Sequence, residues 1–198
     1  VDLILKDADA VKHAEKIREW YDGYHFGRFD VYCPWDVMNY LVDLQRNPDA
    51  RPVSYWKNTS DNAIIRSFLD YAGNSITRKM ETLLDGGYIV QRIDEDLTYD
   101  YLHSSEENLW SVLYLTGYLT SVKKVDAQEI QILDEYTALT IPNKEIQEIF
   151  EINYVTPVGL TRHYLTQMLE KKRGIIINMC SIASSLAGGG GHAYTSSK

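Results

Sequence analysis

Apolar residues recur at helical spacing through the first part of the chain. In residues 9–21 they fall every three or four positions and predict an amphipathic helix, which Asp22-Gly23 would end. The same spacing predicts helices over residues 34–44, 60–72 and 74–84, each beginning at a proline or at a Ser or Asn suited to a helix start. The first part of the chain is therefore expected to be largely helical.

Strand patterns become more frequent farther along the chain. The candidate strands are residues 24–32, as a hairpin or an extended turn, and residues 88–93, 118–122, 130–133 and 136–141. Ser104 and Glu107 have the spacing of a capping box and predict a helix that stops at Gly117. Asn143 would cap a last short helix through Phe150. Helices first and strands later predict an α+β fold.

Charge and cysteine content restrict the partners and the location. A net charge of -8 over 198 residues argues against a nucleic-acid backbone or an anionic membrane as the main partner, because both require clustered Lys and Arg. Cys33 and Cys180 are far apart and outside any metal-ligand spacing, so we expect no metal site and a reducing, cytoplasmic location. No signal peptide or membrane-spanning segment is predicted. The first residue is Val1 rather than Met, which predicts a processed or excised segment.

Three stretches in residues 19–151 carry a first resemblance. They are EWYDGYHFGRFDVYCPWDVMNYL, LTYDYLHSSEENLWSVLYLTGYLT and LTIPNKEIQEIF, in that order. They resemble the part of a bacterial AAA-ATPase-like family that follows its nucleotide-binding core. The resemblance implies a first domain over residues 1–151, a helical lid leading into a small β-containing region, without catalytic function. The chain contains no GxxxxGK[ST] string, so no ATP binding is expected.

The last quarter of the chain carries a second resemblance. Asn153, the run Ile175-Ile176-Ile177, Ser181 and the sequence Tyr194-x-x-x-Lys198 follow one another as in the middle of the short-chain dehydrogenase/reductase family, which they resemble. The resemblance implies a second domain over residues 152–198. It would be a helix-strand fragment of a Rossmann-like α/β sheet, with the Ile-rich run as a buried parallel strand.

The resemblance also implies catalytic roles and a cofactor, NAD(P). Hydride transfer between nicotinamide and a carbonyl carbon leaves negative charge on the oxygen, which a tyrosine can neutralise with its proton. By this resemblance Tyr194 is the acid/base, and Lys198 lowers its pKa and holds the nicotinamide ribose. Ser181 would hydrogen-bond the substrate oxygen, and Asn153 would support a proton-relay water.

Each of these residues also has a purely structural interpretation. Tyr194 and Lys198 would share one face of any helix, Ser181 would suit a turn, and Asn153 would suit a helix N-cap. Only their combination points to the family. A TGxxxGxG-type string for the cofactor pyrophosphate is absent from the sequence, so we expect no dehydrogenase activity from this chain alone.

Two functions therefore remain open. The first is a non-catalytic lid or interaction segment joined to an incomplete dehydrogenase fragment, which would seek a protein partner or self-associate through incomplete domain surfaces. The alternative is an NAD(P)-dependent short-chain oxidoreductase. No Gly/Ser/Pro-rich linker separates the two parts near residues 151–153, so the junction is a chimera, a gene-model artefact or a natural fusion.

Overall fold

The computed structural model describes residues 1–27, 29–56, 74–97, 105–122 and 136–177. Its helices are α1 (Asp2–Asp7), α2 (Ala14–Tyr21), α3 (Pro34–Arg46), α4 (Asn74–Leu84), α5 (Glu106–Leu115), α6 (Lys144–Phe150) and α7 (Thr156–Glu170). Its strands are β1 (Tyr24–Phe26), β2 (Phe29–Val31), β3 (Ile89–Arg92), β4 (Thr120–Ser121) and β5 (Tyr136–Thr140). A 3₁₀ turn, Val11–His13, precedes α2, and a π-helical turn, Glu151–Val155, joins α6 to α7.

The mixture of helices and small sheets confirms an α+β architecture. β1 and β2 form an antiparallel hairpin, in which Phe26 pairs with Phe29 across a turn at Gly27. β5 lies at the centre of a three-stranded antiparallel sheet, between β3 and β4. All strand pairs in the described part of the chain are antiparallel, so these sheets contain no Rossmann-like parallel pairing.

Most predicted elements of the described part are present, with shifted ends. Helix α5 begins one residue later than the predicted capping box, since Ser105 is the N-cap and its hydroxyl accepts the amide N–H of Asn108 at 3.1 Å. The cap at Asn143 is confirmed, because its side-chain oxygen accepts the amide N–H of Ile146 at 3.1 Å. Helix α1 had no counterpart among the predictions. The predicted helix 60–72 and strand 130–133 lie outside the described residues.

Two separate clusters of buried apolar side chains hold these elements together. The first core is the cluster formed by α1, α2, α3 and Ala10, which lies between α1 and α2. Its members are Leu5, Ala10, Ile17, Tyr21, Val37, Tyr40, Leu41 and Leu44. The second core gathers side chains from α4, β3, α5, the residues between α5 and β4, β5, α6 and the π turn. Its bulkiest fully buried members include Trp110, Tyr118, Phe150 and Met80. Residues 53–56 connect the two, because Tyr55 packs on the first core and Trp56 on the second.

Polar contacts also join the first core to the start of α6. The side-chain amide of Asn143 donates to the carbonyl oxygen of Asp22 at 3.0 Å, and Lys144 forms an ion pair with Glu19. Gly23 has φ +107°, and a Cβ at this position would lie 2.0 Å from the carbonyl oxygen of Pro142. The chain can pass this closely only because residue 23 has no side chain.

Helices α6 and α7 form one continuous helix across the predicted domain junction. The backbone stays right-handed helical from Phe150 to Thr156, and the amide N–H of Thr156 donates to the carbonyl oxygen of Glu151, five residues earlier. Pro157 follows at once. Proline lacks the N–H of a regular helical turn and its ring clashes with the carbonyl four residues earlier, so a wider turn relieves the conflict. The junction therefore has no loop.

The described residues after the π turn, 156–177, lie on the surface. Helix α7 has no buried residue. Ile175, Ile176 and Ile177 are 82%, 43% and 79% exposed and belong to no strand, so the prediction of a buried strand there is wrong for these three residues. A strand buried on both faces requires parallel neighbours and covering helices, and the described sheets provide neither.

Candidate active-site segment and a buried carboxyl pair

Asn153, the first residue of the predicted catalytic set, lies in the π turn. Its side-chain amide donates to the carbonyl oxygen of Ile149 at 3.0 Å, within the same helix, and the neighbouring Tyr154 is buried in the second core. The alternative of Asn153 as a helix N-cap is wrong, because the helix runs through this position without a break. Its proposed role in a proton relay stays a prediction.

The other three predicted catalytic residues are Ser181, Tyr194 and Lys198. All three lie outside the described residues. Their roles as substrate-oxygen donor, acid/base and ribose-binding lysine remain predictions from the resemblance.

A surface groove of about 750 Å³ follows the end of α7, where the chain turns back at Gly174. Tyr164, Met168 and Ile175 supply its apolar wall, and Lys171 and Arg173 stand at its rim. The groove lies at the C-terminal end of a helix, where carbonyl groups and the negative end of the helix dipole disfavour phosphate. This groove therefore does not present the helix N-terminus that usually binds a pyrophosphate, and we derive no reaction step through NAD(P).

The most unusual polar site of the described structure is a pair of buried carboxyl groups on α3 and α6. Asp36 and Glu145 are both 0% exposed. The Oε1 atom of Glu145 accepts the backbone N–H of Trp56 at 2.8 Å. Within the described residues, the other oxygen of Glu145 and both oxygens of Asp36 have no hydrogen-bond donor except the weak thiol donor of Cys33, which faces Asp36. Buried polar atoms are nearly always paired, so three such oxygens in one place require an explanation.

Burial dominates the electrostatics of this pair. Desolvation, together with the neighbouring Asp36 carboxyl, raises the pKa of Glu145 to about 8, although the N–H of Trp56 and the hydroxyl of Ser54 favour the charged form. Burial and the same aspartate raise the pKa of the Cys33 thiol to about 12. Burial likewise raises the pKa of Tyr21 and of Tyr24 above the ordinary value. The pair thus lies among side chains that stay uncharged near neutral pH.

This pair was not predicted from the sequence, although the sequence carries a signal for it. Asp36 stands four residues before Tyr40, and Glu145 stands four residues before Ile149, so each acid falls on the buried face of its helix. An acid within an apolar helical stripe is the pattern that would have revealed them.

Two negative findings apply to the described residues alone. None of their helices is both long and apolar enough to cross a membrane. Among them, no group of three or more His, Cys, Asp and Glu side chains is placed to hold a metal ion.

Comparison with known proteins places one segment of the chain in context. Residues 132–198 match the short chain dehydrogenase family. The chain is 36% identical over 55 residues to momilactone A synthase of Oryza sativa subsp. japonica, an alignment covering 28% of this chain and 20% of that protein. The chain thus aligns with about a fifth of the length of this curated relative. No solved structure matches, and nothing in the comparisons supports the AAA-ATPase-like resemblance of residues 19–151. The C-terminal third of the chain is similar to part of a short-chain dehydrogenase.

Proposed function

We propose that residues 132–198 carry the catalytic side chains of an NAD(P)-dependent short-chain oxidoreductase acting on a carbonyl or alcohol group. The supporting observation is that the segment matching the family includes Ser181, Tyr194 and Lys198 in the family's order. Ser181 precedes Tyr194 by thirteen residues, the spacing that the resemblance implies. When bound, the nicotinamide would supply or accept the hydride.

The proposed roles follow from the chemistry of these side chains. A free phenol has a pKa of about 10, and a nearby ammonium group stabilises the phenolate, so Lys198 would bring Tyr194 closer to exchange at neutral pH. Tyr194 would then give its proton to the substrate oxygen or take it back. Ser181 would orient that oxygen by a hydrogen bond.

The described residues of this segment form no parallel sheet of the kind that such chemistry requires. Ile175, Ile176 and Ile177 are exposed rather than held in a sheet, and the groove beside them does not suit a pyrophosphate. We therefore expect no Tyr194-dependent turnover from the chain by itself, while the segment keeps side chains able to act in a complete dehydrogenase sheet.

A transplant tests this proposal. Residues 153–198 replace the matching segment of an active short-chain dehydrogenase, and carbonyl-dependent oxidation of NADH and NADPH is followed. We expect turnover that Tyr194→Phe lowers by roughly a hundredfold or more, since it removes the acid/base. Tyr164→Phe, an exposed tyrosine of α7, is the matched control and should have no effect. A hybrid that folds, binds the dinucleotide and turns over equally well with Tyr194→Phe would contradict the proposal.

A second function is favoured by a different observation. The three stretches that resemble the AAA-ATPase-like family meet in one folded unit. The first stretch contacts the third through the Glu19–Lys144 ion pair and the hydrogen bond from Asn143 to Asp22. The first stretch contacts the second where the backbone N–H of His25 donates to the hydroxyl of Thr120 at 3.1 Å. Residues 1–151 would then be a non-catalytic segment joined to an incomplete dehydrogenase fragment, and the exposed residues of that fragment would carry the interaction.

For this second function we propose self-association through the exposed apolar side chains of α7 and of residues 175–177. Leu169 and Ile175 are 68% and 82% exposed, which favours their burial against another surface. Sedimentation velocity over a concentration series should show association that Leu169→Ser with Ile175→Ser abolishes. Leu3→Ser, at a 76% exposed position of α1, is the control and should leave it intact. A chain that stays monomeric throughout would contradict this interaction.

A further inference from the structure

The two buried carboxyl groups lie where the first and second cores meet. Asp36 belongs to α3, whose Val37 and Tyr40 are in the first core. Glu145 belongs to α6, whose Ile146 and Ile149 are in the second core. A change in the interaction between the two carboxyl groups therefore affects the contact between the first and second cores.

The hydrogen-bond inventory of the site is incomplete without a proton. Asp36 lies beside Glu145 and interacts with it, yet an ionised carboxylate can only accept hydrogen bonds. With both groups ionised, two negative charges would be buried side by side, and the described residues offer Asp36 only the weak donor of the Cys33 thiol. A single proton changes this arrangement, because one carboxyl group then donates to the other in a charge-assisted O–H···O bond.

We propose that Asp36 and Glu145 hold one proton between them and form a proton-dependent latch between the first and second cores. The latch is closed while the proton is bound. When the proton leaves, the two carboxylates repel each other in a fully buried site, and the contact between α3 and α6 weakens.

The other titratable groups that face the pair stay uncharged in the pH range where the pair titrates. Tyr21 comes from α2, Tyr24 from β1, Cys33 from the residues before α3 and Tyr55 from the residues after it. Burial raises the pKa of each, that of the thiol to about 12. Ser54 and the backbone of Trp56 face Glu145 as neutral donors. No Lys, Arg or His of the described residues forms an ion pair with either carboxyl group.

The direction of the pH effect follows from proton linkage. The pKa of Glu145 is about 8 in the folded chain and 4.5 as its ordinary value, so between these pH values the folded chain holds a proton that the unfolded chain has released. The latch is therefore fully stabilising below pH 4.5, loses its stabilisation progressively up to about pH 8, and changes little above it. Within that window, each pH unit multiplies the unfolding equilibrium constant by up to about ten.

Urea unfolding of the full chain between pH 5.5 and 8.5 tests the latch. We expect the unfolding constant of the unmodified chain to rise by roughly a hundredfold across this range. Glu145→Gln should remove most of this rise, because the amide still accepts the N–H of Trp56 and can donate to Asp36, but does not titrate. Glu15→Gln, at an exposed position of α2, should keep the rise. Comparing the variants cancels histidine titration, which they share.

A second measurement does not depend on a variant that folds. Infrared spectroscopy of the unmodified chain, with ¹³C label in its Glu and Asp carboxyl groups, should show a protonated carboxyl band at pH 6.5 that disappears by pH 9. Absence of this band at pH 6.5 would overturn the latch. So would a Glu145→Gln chain that folds and retains the full pH dependence of the unmodified chain.

Discussion

Replacing Gly23 with alanine should disrupt the contact between the end of α2 and the start of α6. The backbone at Gly23 has φ +107°, and a left-handed conformation costs an L-residue about 1–2 kcal/mol. The new Cβ would also lie 2.0 Å from the carbonyl oxygen of Pro142, so the backbone must move, and overpacking of this kind costs about 1–3 kcal/mol. Together these effects predict a loss of about 2–5 kcal/mol. The displacement would also strain the Asn143 bond to Asp22.

Gly27→Ala is the matched control for this substitution. Gly27 has φ +62°, but a Cβ there would have no atom within 4 Å, so only the conformational cost applies. Urea unfolding monitored by tryptophan fluorescence should place Gly23→Ala well below Gly27→Ala, which should lose about 1–2 kcal/mol. Equal losses for the two variants would refute the close approach of Gly23 and Pro142, and with it the packing of α6 against the end of α2.

Two further substitutions test the cores and the cap. Leu113→Ala removes a fully buried side chain of the second core and should cost about 2–5 kcal/mol in urea unfolding, whereas Leu169→Ala, 68% exposed on α7, should change stability by less than about 0.5 kcal/mol. Similar losses for both would show that α7 is packed. Asn143→Ala removes both the cap on Ile146 and the bond to Asp22, so thermal unfolding should report a loss of about 1–3 kcal/mol. No loss would contradict both contacts.

Sequence patterns predicted the helices whose start and buried face depend on residues within the helix itself. Helix α3 has its proline in the first turn and its buried residues at helical spacing. Helix α4 runs from Asn74 to Leu84, close to the helix expected after a cap at Asn74 or Ser75. The cap at Asn143 also depends on residues close in sequence, because its donor and acceptor lie three residues apart. Such features depend on neighbours in sequence, which a single chain displays directly.

Features that depend on the surroundings could not be predicted in this way. The apolar run at Ile175 matches the composition of a buried strand, but burial requires neighbouring strands that the described sheets do not provide. The pairing of Asp36 with Glu145 joins residues more than a hundred positions apart, and no local pattern specifies it. Asn153 resembled an N-cap only as long as a helix was assumed to begin there.

The π turn between α6 and α7 gives the long helix one residue more than regular α geometry requires. Loss of one residue at the exposed positions 151 or 152 could be absorbed by a return to regular winding, with the direction of α7 preserved. Loss of one residue within α6, which has no extra residue to give up, would turn the following side chains by about 100° around the helix axis. Tolerance to changes in chain length is thus concentrated at the point where the two resemblances meet.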